Sequence, residues 1–148
     1  MFLFLDFIVK LFVNNIVILY SRIEIIPNFF EITNVRNTGA AFSILEGNKM
    51  LFIVIGFLAI YLIYKFILKE GELSNYDILS YSMLIGGIFG NLLDRIIYGY
   101  VIDYFSFIIF NMNFPVFNLA DVFIVISVFL IIIKLGRNHA RSSSREKC

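Results

Sequence analysis

Four long, almost uncharged apolar segments constrain this 148-residue chain more than any other feature. They cover residues 1–20, 50–68, 78–93 and 114–135. A membrane-spanning helix needs roughly 20 apolar residues, so the second and fourth segments fit directly, and the third fits if it continues to about Tyr98. The first segment lacks a basic start and a small-residue cleavage site, which favours a retained helix over a removed signal peptide. We therefore expect four transmembrane helices.

The composition excludes most other classes of protein. Hydrophobic residues make up 60% of the chain and charged residues 16%, whereas a soluble domain has roughly 45–50% and 25%. The net charge of +1 gives no basic field that would attract nucleic acid. The single histidine and the single cysteine, His139 and Cys148, both lie in a polar tail. This excludes a disulfide, a cysteine zinc site and histidine-based catalysis, and we expect no metal site and no cofactor.

The basic residues predict the orientation of the helices. Seven of the twelve would lie at one side of the membrane: Lys65, Lys69, Lys134, Arg137, Arg141, Arg145 and Lys147. Four would lie at the other side, namely Arg22, Arg36, Lys49 and Arg95. Because cytoplasmic loops are enriched in Lys and Arg, both termini are predicted to be cytoplasmic, and residues 21–49 and 99–113 to form external loops.

The first external loop alternates apolar and polar residues from Arg22 to Ile32, which indicates short strands. The predicted fold class is an all-α membrane protein, a four-transmembrane-helix bundle with a small extracytoplasmic β-rich loop region. Residues 1–136 would form this domain, and residues 137–148 a basic polar cytoplasmic tail.

Charged residues inside membrane spans are costly and are therefore candidates for function. Asp6 and Lys10 are four residues apart on one helix face, which favours a local ion pair with a structural role. Gly86 and Gly90 form a small-xxx-small pair that lets another helix approach closely.

The third segment ends in a polar group that packing alone does not require. Asn91, Asp94 and Arg95 share one stripe at helical spacing, and Arg95 can pair with its neighbour Asp94. Alternatively, these polar groups could serve only to hold a tight contact with another helix.

Two further aspartates converge on the external side. Pro115 is predicted to begin the fourth helix, with Asn118 and Asp121 on one face and Asp121 about 9 Å further along. Asp103 follows the third helix after Gly99, which permits a turn back towards the membrane.

Two close carboxylates in a low-dielectric site tend to share a proton, so that one acts as a base and the other as an acid. Such a pair can activate water to attack a peptide carbonyl. The alternative is a small carrier, or an ion- or lipid-binding membrane protein, in which these carboxylates bind an ion or a headgroup.

Four blocks of sequence carry a resemblance to a known family: NTGAAFS (37–43), GGIFGNLLDR (86–95), GYVIDYF (99–105) and FNLAD (117–121). In this order, and with the D-x-x-x-K spacing of Asp6 and Lys10, they resemble the motif set of lipoprotein signal peptidase, signal peptidase II. The resemblance implies a four-helix intramembrane aspartyl endopeptidase. Such an enzyme cleaves the signal peptide from bacterial prolipoproteins, just before the lipid-modified cysteine.

The resemblance also implies roles for individual residues. The catalytic pair would be Asp103 and Asp121. Five polar residues would bind substrate or support the site: Asn37, Asn91, Asp94, Arg95 and Asn118. The implied partners are a prolipoprotein with a diacylglyceryl-modified cysteine and membrane lipid, and we expect a monomer. The enzyme would lie in the bacterial inner membrane, with its active site at the extracytoplasmic face.

Overall fold

The computed structural model describes residues 1–39 and 45–145, with side chains in the last helix described up to Arg137. The chain forms four helices, α1 (Phe2–Ile16), α2 (Lys49–Glu70), α3 (Asn75–Ile97) and α4 (Leu119–Arg145). It also forms four strands, β1 (Arg22–Ile26), β2 (Phe30–Asn37), β3 (Val101–Ile109) and β4 (Met112–Asn113).

Among the described residues, two helices are long and apolar enough to cross a membrane: α2 and the portion of α4 that spans Leu119–Arg137. Within the described part of the chain, α2 buries no residue at all, although it is apolar on every side. Helix α1 has 15 residues, fewer than the roughly 20 that a perpendicular span requires. Helix α3 is longer, at 23 residues, but carries charged side chains near both ends. Two of the four helices therefore meet the requirements of a membrane span by length and composition, and the count of four spans stays a prediction.

The polarity of the fold is inverted relative to that of a soluble protein. Large apolar side chains are exposed along all four helices, whereas many buried side chains are polar or charged. The latter include Asp6, Lys10, Asn34, Asp103 and Asn118. Since exposed apolar surface on this scale is unfavourable in water, lipid is the solvent that suits the fold.

A four-stranded antiparallel sheet in the order β1-β2-β3-β4 lies at one end of the helices. The strands expected in the first external loop are present as β1 and β2. Strands β3 and β4 occupy the second external loop, where no strands were predicted, so the description "all-α" understates the sheet. The pairing of β2 with β3 includes a bulge between Ile32 and Val35, beyond which Val35 lies opposite Asp103 and Asn37 opposite Val101.

The glycines of α3 allow two other helices to approach closely, as predicted. A Cβ atom at Gly86 would lie 3.0 Å from the Cβ of Phe2 on α1, and one at Gly90 would lie 2.5 Å from Oδ2 of Asp6. Gly87 faces α4: its Cβ would lie 2.5 Å from the carbonyl oxygen of Ala120. The stripe therefore places α3 between α1 and α4.

We expect Gly87→Ala to destabilise the protein by about 1–3 kcal/mol, because the added methyl group overpacks the α3–α4 contact. Gly136→Ala is the matched control, since none of the described atoms lies within 4 Å of a Cβ there and alanine favours a helix. Thermal unfolding in detergent measures both. Equal melting temperatures for the two variants would contradict the close packing.

The α2–α3 connection and the described part of the C-terminal tail, which were predicted to be cytoplasmic, lie at the end of the helices opposite the sheet. There Lys134 of α4 pairs with Glu70 of α2 at 2.9 Å and with Asp77 of α3 at 2.6 Å. Asp77 also forms a capping box with Ser74 at the start of α3. Helix α4 continues past residue 136 to Arg145, so the predicted domain boundary does not coincide with a helix end. Cys148 lies outside the described residues.

Candidate active site

The fourth helix begins at Leu119, and the expectation that Pro115 begins it was wrong. Residues 114–117 are extended, and Phe117 exchanges backbone hydrogen bonds with Phe105 of β3. The helix starts where Asn118 and Asp121 form a reciprocal cap. The Asn118 side chain accepts from the backbone N–H of Asp121 at 3.0 Å, and the Asp121 carboxylate accepts from the N–H of Asn118 at 3.1 Å. This cap satisfies donors that a helix start otherwise leaves free.

Two other elements fix the same helix end. The backbone N–H of Leu119 donates to the hydroxyl oxygen of Tyr104 on β3 at 3.0 Å. The N–H of Ala120 donates to Oδ1 of Asp6 on α1 at 3.0 Å. Side chains from three elements therefore satisfy the first N–H groups of α4, and together they hold Asp121 in place.

Asp103 is positioned by the register of the sheet. Because Val35 lies opposite Asp103, Asn37, two residues further along β2, points to the same face. The Asn37 amide donates to Oδ2 of Asp103 at 2.7 Å, and the Asn118 amide donates to Oδ1 at 2.7 Å. Both carboxylate oxygens of a buried aspartate are thus hydrogen-bonded.

Asn118 joins the two aspartates. Its side-chain amide donates to Asp103, while its backbone N–H and side-chain oxygen engage Asp121. The second oxygen of Asp121 accepts from the Asn91 amide at 2.7 Å. The structure therefore brings together the two carboxylates that the sequence predicted to meet, with three asparagines arranged around them.

The environment of Asp103 favours its protonated form. Burial, and secondly the charge of Asp121, raise the pKa of Asp103 from 3.8 to about 7. The hydrogen bonds from Asn37 and Asn118 oppose this shift but do not cancel it. At neutral pH, Asp103 can therefore hold a proton for the pair.

A buried charge cluster lies behind the aspartates. Lys10 pairs with Asp6 at 2.8 Å, as expected, but also with Asp94 at 2.9 Å. Oδ2 of Asp94 in turn accepts from the backbone N–H of Ile102 at 3.2 Å, which ties β3 to α3. The Asp6–Lys10 contact is thus part of a link between three elements rather than a local pair.

Arg95 makes different contacts from those expected. Among the described residues, Asp94 pairs with Lys10 rather than with Arg95. The Arg95 guanidinium donates to the carbonyl oxygens of Gly39 at 2.9 Å and Asn91 at 3.3 Å, and it lies 4.8 Å from the ring centroid of Phe52 on α2. Its planar group therefore joins α2, α3 and the end of β2.

The two aspartates line a cavity of about 660 Å³ whose wall also includes residues of α2 and α4. Its polar part consists of the aspartates with Asn37, Asn91 and Arg95, and its apolar part includes Phe52, Val122, Val125 and Ile126. A cavity that combines charged and amide groups with an apolar wall suits a ligand that has both polar and apolar parts.

Tyr104 is a residue near the site that the sequence analysis missed, as it missed Phe52 in the cavity wall. Tyr104 is buried, and its hydroxyl caps α4. Only its position next to Asp103 could have drawn attention to it, and neighbouring residues on a strand point to opposite faces. Of the first motif block, residues 37–39 are described, and residues 40–43 lie outside the described residues.

Comparison with known proteins identifies the family of this chain. A family model described as signal peptidase (SPase) II matches residues 1–137. Over 123 residues, the chain is 37% identical to a lipoprotein signal peptidase of Staphylococcus aureus strain N315, covering 83% of this chain and 76% of the relative. The corresponding protein of strain Newman matches equally well.

Two solved structures are also similar. A bacterial membrane enzyme determined by the in meso method at 2.3 Å resolution superposes with a TM-score of 0.85 at 32% identity, over 95% of this chain and 85% of that one. A second, at 1.9 Å, gives a TM-score of 0.80 at 34% identity, over 90% and 86%. With the family model matching nearly the whole chain, the protein belongs to the signal peptidase II family.

Proposed function

We propose that this protein is an intramembrane aspartyl endopeptidase that removes the signal peptide from diacylglyceryl-modified bacterial prolipoproteins, cutting before the lipidated cysteine. The observation that carries the proposal is the pair of aspartates, Asp103 and Asp121, joined through Asn118 at the wall of one cavity. Membership of the signal peptidase II family supplies the substrate class.

In the proposed reaction, Asp121 acts as the base and Asp103 as the acid. Asp121 takes a proton from a water molecule, whose oxygen attacks the scissile carbonyl carbon, while Asp103 gives its proton to the carbonyl oxygen. When the tetrahedral intermediate collapses, its hydroxyl returns a proton to Asp103. The proton on Asp121 passes to the leaving nitrogen. The asparagines that bind the carboxylates keep both in position throughout.

The cavity supports a substrate with both peptide and lipid parts. Arg95 carries donors that suit a peptide carbonyl or a lipid headgroup, and Asn37 and Asn91 lie nearby. The apolar wall formed by Val122, Val125 and Ile126 of α4 suits acyl chains or the apolar part of the signal peptide. Asp94 supports the site indirectly, through Lys10 and the start of β3.

We further propose that all four helices cross the inner membrane of a bacterium and that the protein acts as a monomer. Lys65, Lys69, Lys134 and Arg137 lie towards the helix ends opposite the sheet, which supports a cytoplasmic position for those ends and for both termini. The aspartates and the sheet would then face the extracytoplasmic side, where a translocated prolipoprotein presents its modified cysteine.

Incubation of the purified protein with a prolipoprotein, with and without the diacylglyceryl modification, tests the proposed function. We expect cleavage of the modified substrate and no loss of activity in EDTA. Absence of cleavage, together with saturable binding of a cation or a phospholipid, would instead favour an ion- or lipid-binding protein.

The pH dependence provides a second test. Since Asp103 must carry a proton, kcat/KM, which reports the pKa values of the free enzyme, should fall as the pH rises through about 7. Stability should fall at lower pH, as the pH rises from 3.8 to about 7, because the folded protein binds more protons than the unfolded chain between these two pKa values, and it should level off above them. Thermal unfolding should show this loss in the wild type. In Asp103→Asn, which does not titrate there, the loss should be smaller, and equal slopes would contradict the assignment.

A further inference from the structure

Lys10 makes a contact that a structural ion pair does not need. Its ammonium group has three acceptors: Oδ2 of Asp6 at 2.8 Å, Oδ2 of Asp94 at 2.9 Å and Oδ1 of Asn91 at 3.1 Å. The two carboxylates together carry more negative charge than one lysine can neutralise. The third proton of the ammonium is nevertheless directed at a neutral amide that lines the site.

The orientation of the Asn91 amide matters to Asp121. In the observed orientation, Nδ2 of Asn91 donates to Oδ1 of Asp121 at 2.7 Å. If the amide were turned over, its oxygen would face the carboxylate, and the two would repel each other. Lysine has donors only, so Lys10 can face only the oxygen of the amide. Asn118 also donates to that oxygen, at 3.0 Å.

We infer that Lys10 is a positioning residue of the reaction. It holds the Asn91 amide in the orientation that donates to Asp121, and its charge acts on the two aspartates from behind. This inference rests on the proposed peptidase function and deepens it, because it gives the D-x-x-x-K spacing of α1 a role in the chemistry as well as in folding.

The charged groups around Asp103 determine whether replacement of Lys10 should raise or lower the pKa of Asp103. Asp121 of α4 raises the pKa of Asp103, and Lys10 of α1 lowers it. The Arg95 guanidinium on α3 acts in the same direction as Lys10, and the neighbour on β2, Asn37, is neutral. Removal of the Lys10 charge should therefore raise the pKa of Asp103. The negative charges of Asp6 and Asp94, no longer neutralised by Lys10, would also raise the pKa of Asp103.

The test is the pH profile of prolipoprotein cleavage by Lys10→Met. We expect kcat to fall tenfold or more, on the order of the loss that follows when a reacting group is misplaced, with KM within about twofold of the wild type. The alkaline limb of the profile should move to higher pH by about half a unit or more. Lys10→Arg keeps the charge and the donors, so its alkaline limb should stay in place and its kcat should be higher than that of Lys10→Met.

Lys134→Met is the matched control. Lys134 also pairs with two carboxylates, those of Glu70 and Asp77, but at the opposite end of the helices. Its loss should lower the melting temperature and leave the pH profile unchanged. If Lys10→Met does not fold, the double variant Asp6→Asn/Lys10→Met replaces it, because this variant leaves one fewer carboxylate unpaired. The double variant is then compared with Asp6→Asn alone.

The inference would be overturned if the folded Lys10→Met protein had the wild-type kcat and an unchanged alkaline limb. The same result in the double variant, compared with Asp6→Asn alone, would also overturn it, and Lys10 would then have only a structural role. That outcome is distinct from failure of the proposed function, in which the wild-type protein itself would not cleave the modified prolipoprotein.

Discussion

Asp103→Asn and Asp121→Asn should each lower the rate of prolipoprotein cleavage by about a thousandfold or more, because proton transfer by a positioned side chain typically contributes 10²–10⁴-fold and each variant stops the transfer at both stages. Asparagine keeps the size and polarity of the side chain but cannot exchange a proton. The measurement is kcat/KM for a diacylglyceryl-modified prolipoprotein, together with gel filtration to show that the variants are folded.

Asp77→Asn is the control for this experiment. Asp77 is also a buried aspartate, bonded to Ser74 and Lys134 at the other end of the helices. Its substitution should reduce stability and leave kcat/KM within a small factor of the wild type. If Asp103→Asn or Asp121→Asn kept a near-wild-type rate, the proposed catalytic pair would be wrong.

Asn118→Ser should lower cleavage by roughly a hundredfold, the scale expected when catalytic groups shift by about 1 Å, while keeping the helix cap. Serine is a good helix cap, so its hydroxyl can still accept from the N–H of Asp121. It lacks the amide that donates to Asp103 and Asn91. The variant therefore separates the capping role of Asn118 from its support of the aspartates.

Asn118→Ala removes both roles, and we expect it to be less stable than Asn118→Ser by about 1 kcal/mol. Ser74→Ala removes the cap of α3 and should cost similar stability without loss of activity. The measurements are kcat/KM and the melting temperature of all three variants. A wild-type rate in Asn118→Ser would mean that the amide has no part in the site.

The five residues 117–121 illustrate how one short segment serves folding and chemistry together. Phe117 continues the sheet through its bridge to Phe105, Asn118 ends the extended segment, and Asp121 completes the cap of α4. A carboxylate that caps a helix has little freedom to move. The arrangement therefore holds the proposed base in position before any substrate binds.

Much of the fold could be predicted from the sequence alone. Long apolar segments identify α2 and α4, because an apolar stretch of about 20 residues is the length that a membrane span requires. The spacing of Gly86 and Gly90 predicted a close helix contact, and alternation predicted strands β1 and β2. Asp103 and Asp121 were singled out because charged groups near a span are costly unless they are used.

Other features depended on contacts between distant parts of the chain. The sheet register places Asn37 beside Asp103, and a bulge within the pairing sets that register, so the alternation pattern could not specify it. Proline at a helix start is a local rule, but here the cap formed by Asn118 and Asp121 places the start at Leu119.

The partners of the charged residues were the least predictable feature. Adjacency favoured a pair between Asp94 and Arg95, yet packing of α1 against α3 places Lys10 within 2.9 Å of Asp94 and leaves Arg95 to bind backbone carbonyls. The sequence by itself determined which residues are too polar for lipid and which segments are too apolar for water. Only the tertiary structure decided which polar groups meet, because each buried donor and acceptor must find its partner among atoms that folding brings together.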